Sequence, residues 1–183
     1  KKITPKEFTI WMNLLKRVKG SILWLLSSNK YAEINLKNEA YKKNIDPSRI
    51  IFADKCGIQR HMERHLLADL FLDTFNYNAH TTASDALLSG LPVLTMKGES
   101  FSARVSSSLL MSLNLKELIT NSPREYEELA FTLAIEPNKL NLIKRKLAYE
   151  INNSSLFDIN LFKINIEKIY LKLYNQKVKG IQD

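Results

Sequence analysis

An α/β fold, a parallel sheet with helices on both faces and helical packing at the C-terminus, is what this sequence predicts, and three observations carry it. Short apolar runs alternate with helical patterns along most of the chain, the arrangement that βαβ units require. The continuously apolar run SILWLL (21–26) and the short apolar run Leu70–Leu72 read as buried parallel strands, with a further strand at 92–96. Gly20, Gly90 and Pro92 fall where those patterns change, as breakers between elements should. Ligands of such a sheet bind outside the carboxyl ends of its strands, so the loops containing His61, His80 and Gly98 are expected to meet there.

Taken in order, Pro5 opens a helix capped by Thr4, with Phe8, Trp11, Met12, Leu15 and Val18 at helical spacing, and Gly20 ends it. After the strand 21–26, the polar stretch 32–43 suits an exposed crossover helix. Asp46 and Pro47 then turn the chain into a strand at 49–53. CGIQRHMERHLL (56–67) reads as a turn and a short, solvent-facing helix that brings His61, Arg64 and His65 onto neighbouring faces.

The central unit, 67–95, is strand, loop, helix, turn and strand. Its helix is expected to be capped by Thr81 or Thr82, to have Ala83, Ala86, Leu87 and Leu88 as its apolar positions, and to stop at Gly90. Beyond the turn at Lys97 and Gly98, Ser100 or Ser102 should cap one helix reaching Met111, with Phe101, Val105, Leu109 and Leu110 on or near its buried side. A short apolar run follows at 114–120. Ser122 and Glu125 match a capping box ahead of a further helix. Two more helical stretches, 137–151 and 161–176, complete the chain, and Phe162, Ile166, Ile169, Tyr170 and Leu173 form a stripe of the kind that usually joins a core.

With 183 residues, 45% of them hydrophobic and 25% charged, the chain can build one substantial core, and no second domain boundary, internal repeat or low-complexity segment interrupts it. No apolar run approaches a membrane span and the first residues lack a signal-peptide core, so the expected setting is cytoplasmic with no membrane partner. The lone Cys56 agrees, since it permits no internal disulfide. The net charge of +8 comes from lysines scattered over several helices without a nucleic-acid motif, so no nucleic-acid partner is expected.

The chemistry that residue types and spacing offer lies in the central unit. A helix beginning at the carboxyl end of a strand presents free backbone N–H groups and the positive end of its dipole, beside His80 and two threonine hydroxyls. That combination suits an anion such as a diphosphate, although Thr-Thr before a helix is most often only a cap. Asp85, one turn on, is placed to accept hydrogen bonds from sugar hydroxyls. His61 and His65 have a spacing that can bind zinc, but Glu63 is not where a metalloprotease motif needs it and no third ligand is evident, so no metal is expected. A base-recognition edge is the alternative, with His61 stacking on a flat ring and Arg64 donating hydrogen bonds.

The run from His61 to Arg64, then LADLFLDT, HTTASDAL, GLPVLT and FSARVSSSLL, resembles the catalytic region of O-linked N-acetylglucosamine transferases, the family that includes the SPINDLY-like proteins. The likeness extends upstream through WMNLLKRVKGSILWLL and RIIFA, and downstream through KELIT, EYEELA, SSLFD and the last helix. It implies two Rossmann-like lobes of the glycosyltransferase B type, usually behind tetratricopeptide repeats. Residues 1–183 would be the C-terminal, UDP-sugar-binding lobe, with C-terminal helices at about 122–176 and the upstream lobe and repeats lying outside this chain. The implied donor is UDP-N-acetylglucosamine, used as a substrate without metal or other cofactor, and the implied acceptor is a serine or threonine hydroxyl of a protein.

Residue by residue, the resemblance places His80, Thr81 and Thr82 against the ribose and diphosphate, and Asp85 on the ribose hydroxyls. It stacks His61 on the uracil with Arg64 nearby, and gives Cys56 a backbone that reads the base. Lys2 aligns with a lysine that contacts the diphosphate and helps UDP depart; its bland reading is an exposed terminal lysine. Two departures stand out: Ile58 replaces a lysine that animal members carry near the uracil loop, and Ala79 stands where many members have glycine. The alternatives are another UDP-sugar enzyme such as a 2-epimerase, and a basic interaction module that has lost chemistry.

Overall fold

The computed structural model describes residues 2–178 and Gly180. Eight helices and five strands are formed among them: α1 Pro5–Arg17, β1 Leu23–Leu26, α2 Lys30–Lys42, β2 Ile50–Ala53, α3 Ile58–His65, β3 Phe71–Leu72, α4 Thr81–Leu88, β4 Val93–Met96, α5 Val105–Ser112, β5 Ile119–Thr120, α6 Pro123–Ile135, α7 Pro137–Asn153 and α8 Ile159–Val178. Every strand pairing is parallel, as the alternation of strand and helix demands.

The expected single sheet is resolved into two hydrogen-bonded pieces, β1–β2 and β3–β4–β5. In the first, Leu23 faces Ile50 and Leu26 faces Ala53; in the second, Phe71 and Leu72 lie beside Val93 and Leu94, and Thr95 and Met96 beside Ile119 and Thr120. β3 contributes only two residues, so hydrogen bonding does not continue across to β1. Side-chain packing does the joining: Leu23, Ile50, Phe75 and Leu94 belong to one apolar cluster with Phe8, Trp11 and Met12 of α1.

Helices cover both faces, and the alternation along β4 shows how. Leu94 enters the cluster built with α1 and with Tyr126 and Ala130 of α6, whereas Val93 enters a second cluster with Ala83 and Leu87 of α4, Leu110 of α5 and Leu147 of α7. Val93 and Leu94 are both wholly buried, as in a strand covered on both faces.

Local chemistry explains the helix starts. Thr4 and Glu7 form a capping box on α1, and Pro5 occupies its first turn, where a missing N–H costs nothing. The Ser122 hydroxyl accepts from Glu125 N–H at 3.2 Å, while the Glu125 carboxylate reaches back to the amide of Asn121 at 2.8 Å, one residue earlier than the standard box. Gly90 follows α4 with a positive φ of 80°, a backbone state that costs glycine nothing.

Three expectations are corrected. The helix foreseen from Ser100 or Ser102 to Met111 is split into a 3₁₀ turn, Phe101–Ala103, and α5, and neither serine side chain caps either piece. Phe101, expected near the buried side, is 78% exposed because the 3₁₀ turn resets the helical phase. The stripe on α8 joins no core: none of the residues of α8 is buried, and Phe162, Ile169, Tyr170 and Leu173 all face outward. An amphipathic period says that a face can be buried, but names no partner for it. No described helix is long and apolar enough to cross a membrane.

Candidate functional site

Because β3 and β4 run parallel in one sheet, the segments that follow them leave at the same end, and the approach of His61 on α3 to Asp85 on α4 brings the segment after β2 beside them. The segment after β2 carries α3, that after β3 is the loop 73–80 leading into α4, and that after β4 is the turn at Lys97 and Gly98. Gly98 is needed there, since a Cβ would lie 2.5 Å from the Cβ of Ala103.

The loop 73–80 is built on Asp73, which is 1% exposed. Its Oδ1 accepts the amides of Thr74 at 2.8 Å and Ala79 at 2.7 Å, and its Oδ2 accepts the Thr95 hydroxyl at 2.8 Å. Burial pushes this carboxyl above its ordinary value, against the pull of those hydrogen bonds. The Ser106 hydroxyl donates to the Ala79 carbonyl at 2.9 Å, and Tyr126, wholly buried and with its phenol driven well up by that burial, donates to the Asp73 carbonyl at 3.0 Å. The residue before His80 is thus held through both its amide and its carbonyl.

His80, not a threonine, is the N-cap of α4, and no side chain caps this helix. This corrects the expected role of Thr81 and Thr82, which occupy the first two helical positions and are exposed. The consequence favours a ligand. The His80 carbonyl accepts from Ala83 and Ser84, so the amides of Thr81 and Thr82 have no intrahelical acceptor and lie at the positive end of the helix dipole.

Around them sit groups that sequence reasoning missed. The Tyr77 ring stacks on His80 with centroids 4.7 Å apart and planes 16° from parallel, and Phe101 meets His80 edge-on at 6.3 Å. Lys2 donates to the Asn78 carbonyl at 3.0 Å, and its ammonium lies 4.6 Å from the centre of the Tyr77 ring. Lys2 and His80 are therefore drawn together through Tyr77 and Asn78. Only the tertiary contact reveals this, because one aromatic in a polar loop carries no periodicity.

A second group forms on α3. Arg64 donates to the Asp54 carbonyl at 2.9 Å and to His61 Nδ1 at 2.7 Å. Arginine can only donate, so Nδ1 is the acceptor and the ring hydrogen belongs on Nε2, which lies 3.4 Å from Asp85 Oδ2 on α4. His61 thus has a hydrogen bond at Nδ1 and a carboxylate near Nε2, which links α3 to α4. His65, foreseen on a solvent-facing helix, is instead buried, and its ring meets that of His61 edge-on at 4.6 Å. Burial first, then the neighbouring His61 and Arg64, hold His65 below the ordinary imidazole value.

Of the residues foreseen, His61, Arg64 and Asp85 form one contiguous set, Lys2 and His80 another, and Thr81 and Thr82 open α4 between them. Cys56 is half-buried just ahead of α3, Ile58 is the first residue of that helix and 70% exposed, and Ala79 is buried beneath the loop. Among the described residues, no three His, Cys, Asp or Glu side chains stand together as metal ligands would.

The parallel strands with helices on both faces form a lobe of the glycosyltransferase B-type fold. The same fold is seen in a mutant of Thermobaculum terrenum O-GlcNAc transferase, with a TM-score of 0.89 at 22% identity over 99% of this chain and 35% of that one. Residues 1–166 match glycosyl transferase family 41, and the chain belongs to that family. It is 36% identical over 99% of its length to SEC of Arabidopsis thaliana, a probable UDP-N-acetylglucosamine–peptide N-acetylglucosaminyltransferase, and 32% identical over 98% to the UDP-N-acetylglucosamine–peptide N-acetylglucosaminyltransferase of Caenorhabditis elegans. It spans 19% and 16% of the lengths of those two proteins.

Proposed function

We propose that this chain is the donor-binding lobe of an inverting glycosyltransferase that moves N-acetylglucosamine from UDP-N-acetylglucosamine to serine or threonine hydroxyls of proteins. The observation that carries the reading is the start of α4, where two unpaired amides lie between the Lys2–His80 group and the Asp85–His61 group. In it the diphosphate takes the amides and hydroxyls of Thr81 and Thr82 with His80 alongside, and Asp85 accepts the ribose hydroxyls. The uracil stacks on His61 near Arg64, and the backbone at Cys56 reads its edge.

As the acceptor oxygen forms its bond to the anomeric carbon, the bond from that carbon to the β-phosphate oxygen breaks and charge gathers on UDP. Lys2 and the dipole of α4 stabilise that charge more in the transition state than in the bound donor, which is the condition for speeding the step. The reaction so drawn needs no metal. The proton of the acceptor hydroxyl has no assigned base in this chain, so the isolated polypeptide binds donor without turning it over. An upstream Rossmann-like lobe, with tetratricopeptide repeats before it, supplies the acceptor side, and the cytoplasmic setting expected from the sequence belongs to the same reading. Both relatives named above are transferases, which supports transfer over epimerisation.

Calorimetry tests the reading: UDP binds the chain, and a Thr81→Ala, Thr82→Ala, Asp85→Ala variant loses that binding. No heat at millimolar UDP, or equal binding by the variant, overturns it, and robust glycosyl transfer by the isolated chain overturns the requirement for a second lobe.

A further inference from the structure

We infer that Glu7, a buried carboxylate on α1, is a positioning residue that holds Lys2 at the nucleotide site. The inference rests on the nucleotide-site reading above. Glu7 is 1% exposed, and its two oxygens are spent on two different segments. Oε2 accepts the Thr4 amide at 3.1 Å and the Thr4 hydroxyl, closing the capping box. Oε1 accepts the amide of Phe75, in the loop 73–80, at 3.0 Å. A capping box requires only the first set of contacts, so the bond to Phe75 serves something beyond the helix end.

What it joins is specific. Phe75 is itself buried, 4% exposed and packed edge-on against Tyr126 with centroids 5.0 Å apart, while the Tyr126 hydroxyl donates to the Asp73 carbonyl. Glu7 thus ties the chain just before α1 to a buried residue of the loop that ends in His80. Lys2 lies two residues before Thr4 and spans to the same loop, at the Asn78 carbonyl and the Tyr77 ring. A lysine side chain has four rotatable bonds and loses that freedom when it is held, so a short, anchored stem is what keeps the ammonium within reach of the diphosphate. Without the Glu7 clamp, the segment carrying Lys2 is free to part from the loop while Lys2 itself remains intact.

Glu7→Gln keeps the size of the side chain but leaves one acceptor oxygen, which can serve Phe75 or Thr4 and not both. The chain, its Glu7→Gln and Lys2→Ala variants and the double variant are titrated with UDP and, separately, with uridine, followed by NMR. Both single variants are expected to bind UDP about tenfold more weakly and uridine as before, and the double variant no more weakly than Lys2→Ala. Loss of UDP and uridine binding in equal measure by Glu7→Gln would show general damage to the loop and overturn the inference. So would unchanged UDP binding by Glu7→Gln where Lys2→Ala is weakened, or a double variant whose losses multiply. Should Glu7→Gln fail to fold, Thr4→Ala, which removes the hydroxyl contact to Glu7 and the cap contact from the Lys6 amide but leaves the bond from Glu7 to Phe75, is expected to show the same split at smaller size, and an equal loss of both ligands there overturns the inference. If the unsubstituted chain binds neither ligand, the nucleotide-site reading itself fails and this inference with it.

Discussion

Replacing Asp73 by alanine removes the acceptor of three donors at once, the amides of Thr74 and Ala79 and the Thr95 hydroxyl, at distances of 2.7–2.8 Å. Each buried donor left without a partner costs about 1–3 kcal/mol. Partial relaxation and entry of water offset some of this, so Asp73→Ala is expected to lose about 3–5 kcal/mol, a large part of the ~5–15 kcal/mol that holds a domain of this size. Asp73→Asn separates hydrogen bonding from charge. The retained Oδ1 still accepts both amides, and removing a buried charge relieves the desolvation that pushes this carboxyl upward, so the net loss is held to about 1–2 kcal/mol. Urea unfolding reads both variants, with the midpoint falling and the slope unchanged. UDP titration of the folded protein adds the functional side, because the amide that Asp73 holds immediately precedes His80. An Asp73→Ala protein within about 1 kcal/mol of the parent, or an Asp73→Asn protein equally damaged, would refute the claim that this carboxylate organises the loop.

The sign of two further effects follows from burial. His65 is held below its ordinary value in the folded chain, so the unfolded chain takes the proton first as pH falls; stability is expected to drop from about pH 6.5 down to the folded value, and His65→Gln to remove that slope in urea unfolding between about pH 7.5 and pH 5.5. Asp73 is shifted the other way, so its contribution is fully present below about pH 3.8, the unfolded value, and is lost as pH rises through the folded one; Asp73→Asn is expected to erase it, as acid-range unfolding curves will show. Gly98→Ala brings a methyl 2.5 Å from the Cβ of Ala103 and is expected to cost about 1–3 kcal/mol, a few degrees in melting temperature. Adding Ala103→Gly removes the clash and should restore most of the loss, whereas no recovery would place the fault elsewhere.

Much of the fold was legible because it rests on local patterns. Thr4 marks a helix start as its cap, and Ser122 with Glu125 marks another by short-range hydrogen bonds. Gly90 marks a helix end through its positive φ. Legibility failed where a residue's state depends on something distant. His65 reads as polar yet is covered, Phe101 reads as core yet is 78% exposed, and the apolar stripe of α8 has no partner among the described residues. His80 displaced the two threonines as N-cap because the loop 73–80, braced from β4, α5 and α6, decides where the first helical turn begins.

By itself the sequence determined most of the helix and strand segments, the parallel order within the sheets, and the presence of His61, Arg64, His80, two threonines and Asp85 in the segments that follow strands. Periodicity, caps and turn residues act over a few positions, so they can be read along the chain. Only the tertiary structure decided that Arg64, His61 and Asp85 form one chain of contacts, that Tyr77 lies between Lys2 and His80, and that Glu7 and Asp73 brace the loop from below. Those are meetings of residues far apart in sequence, and their geometry is set by how two apolar clusters pack on either side of β4.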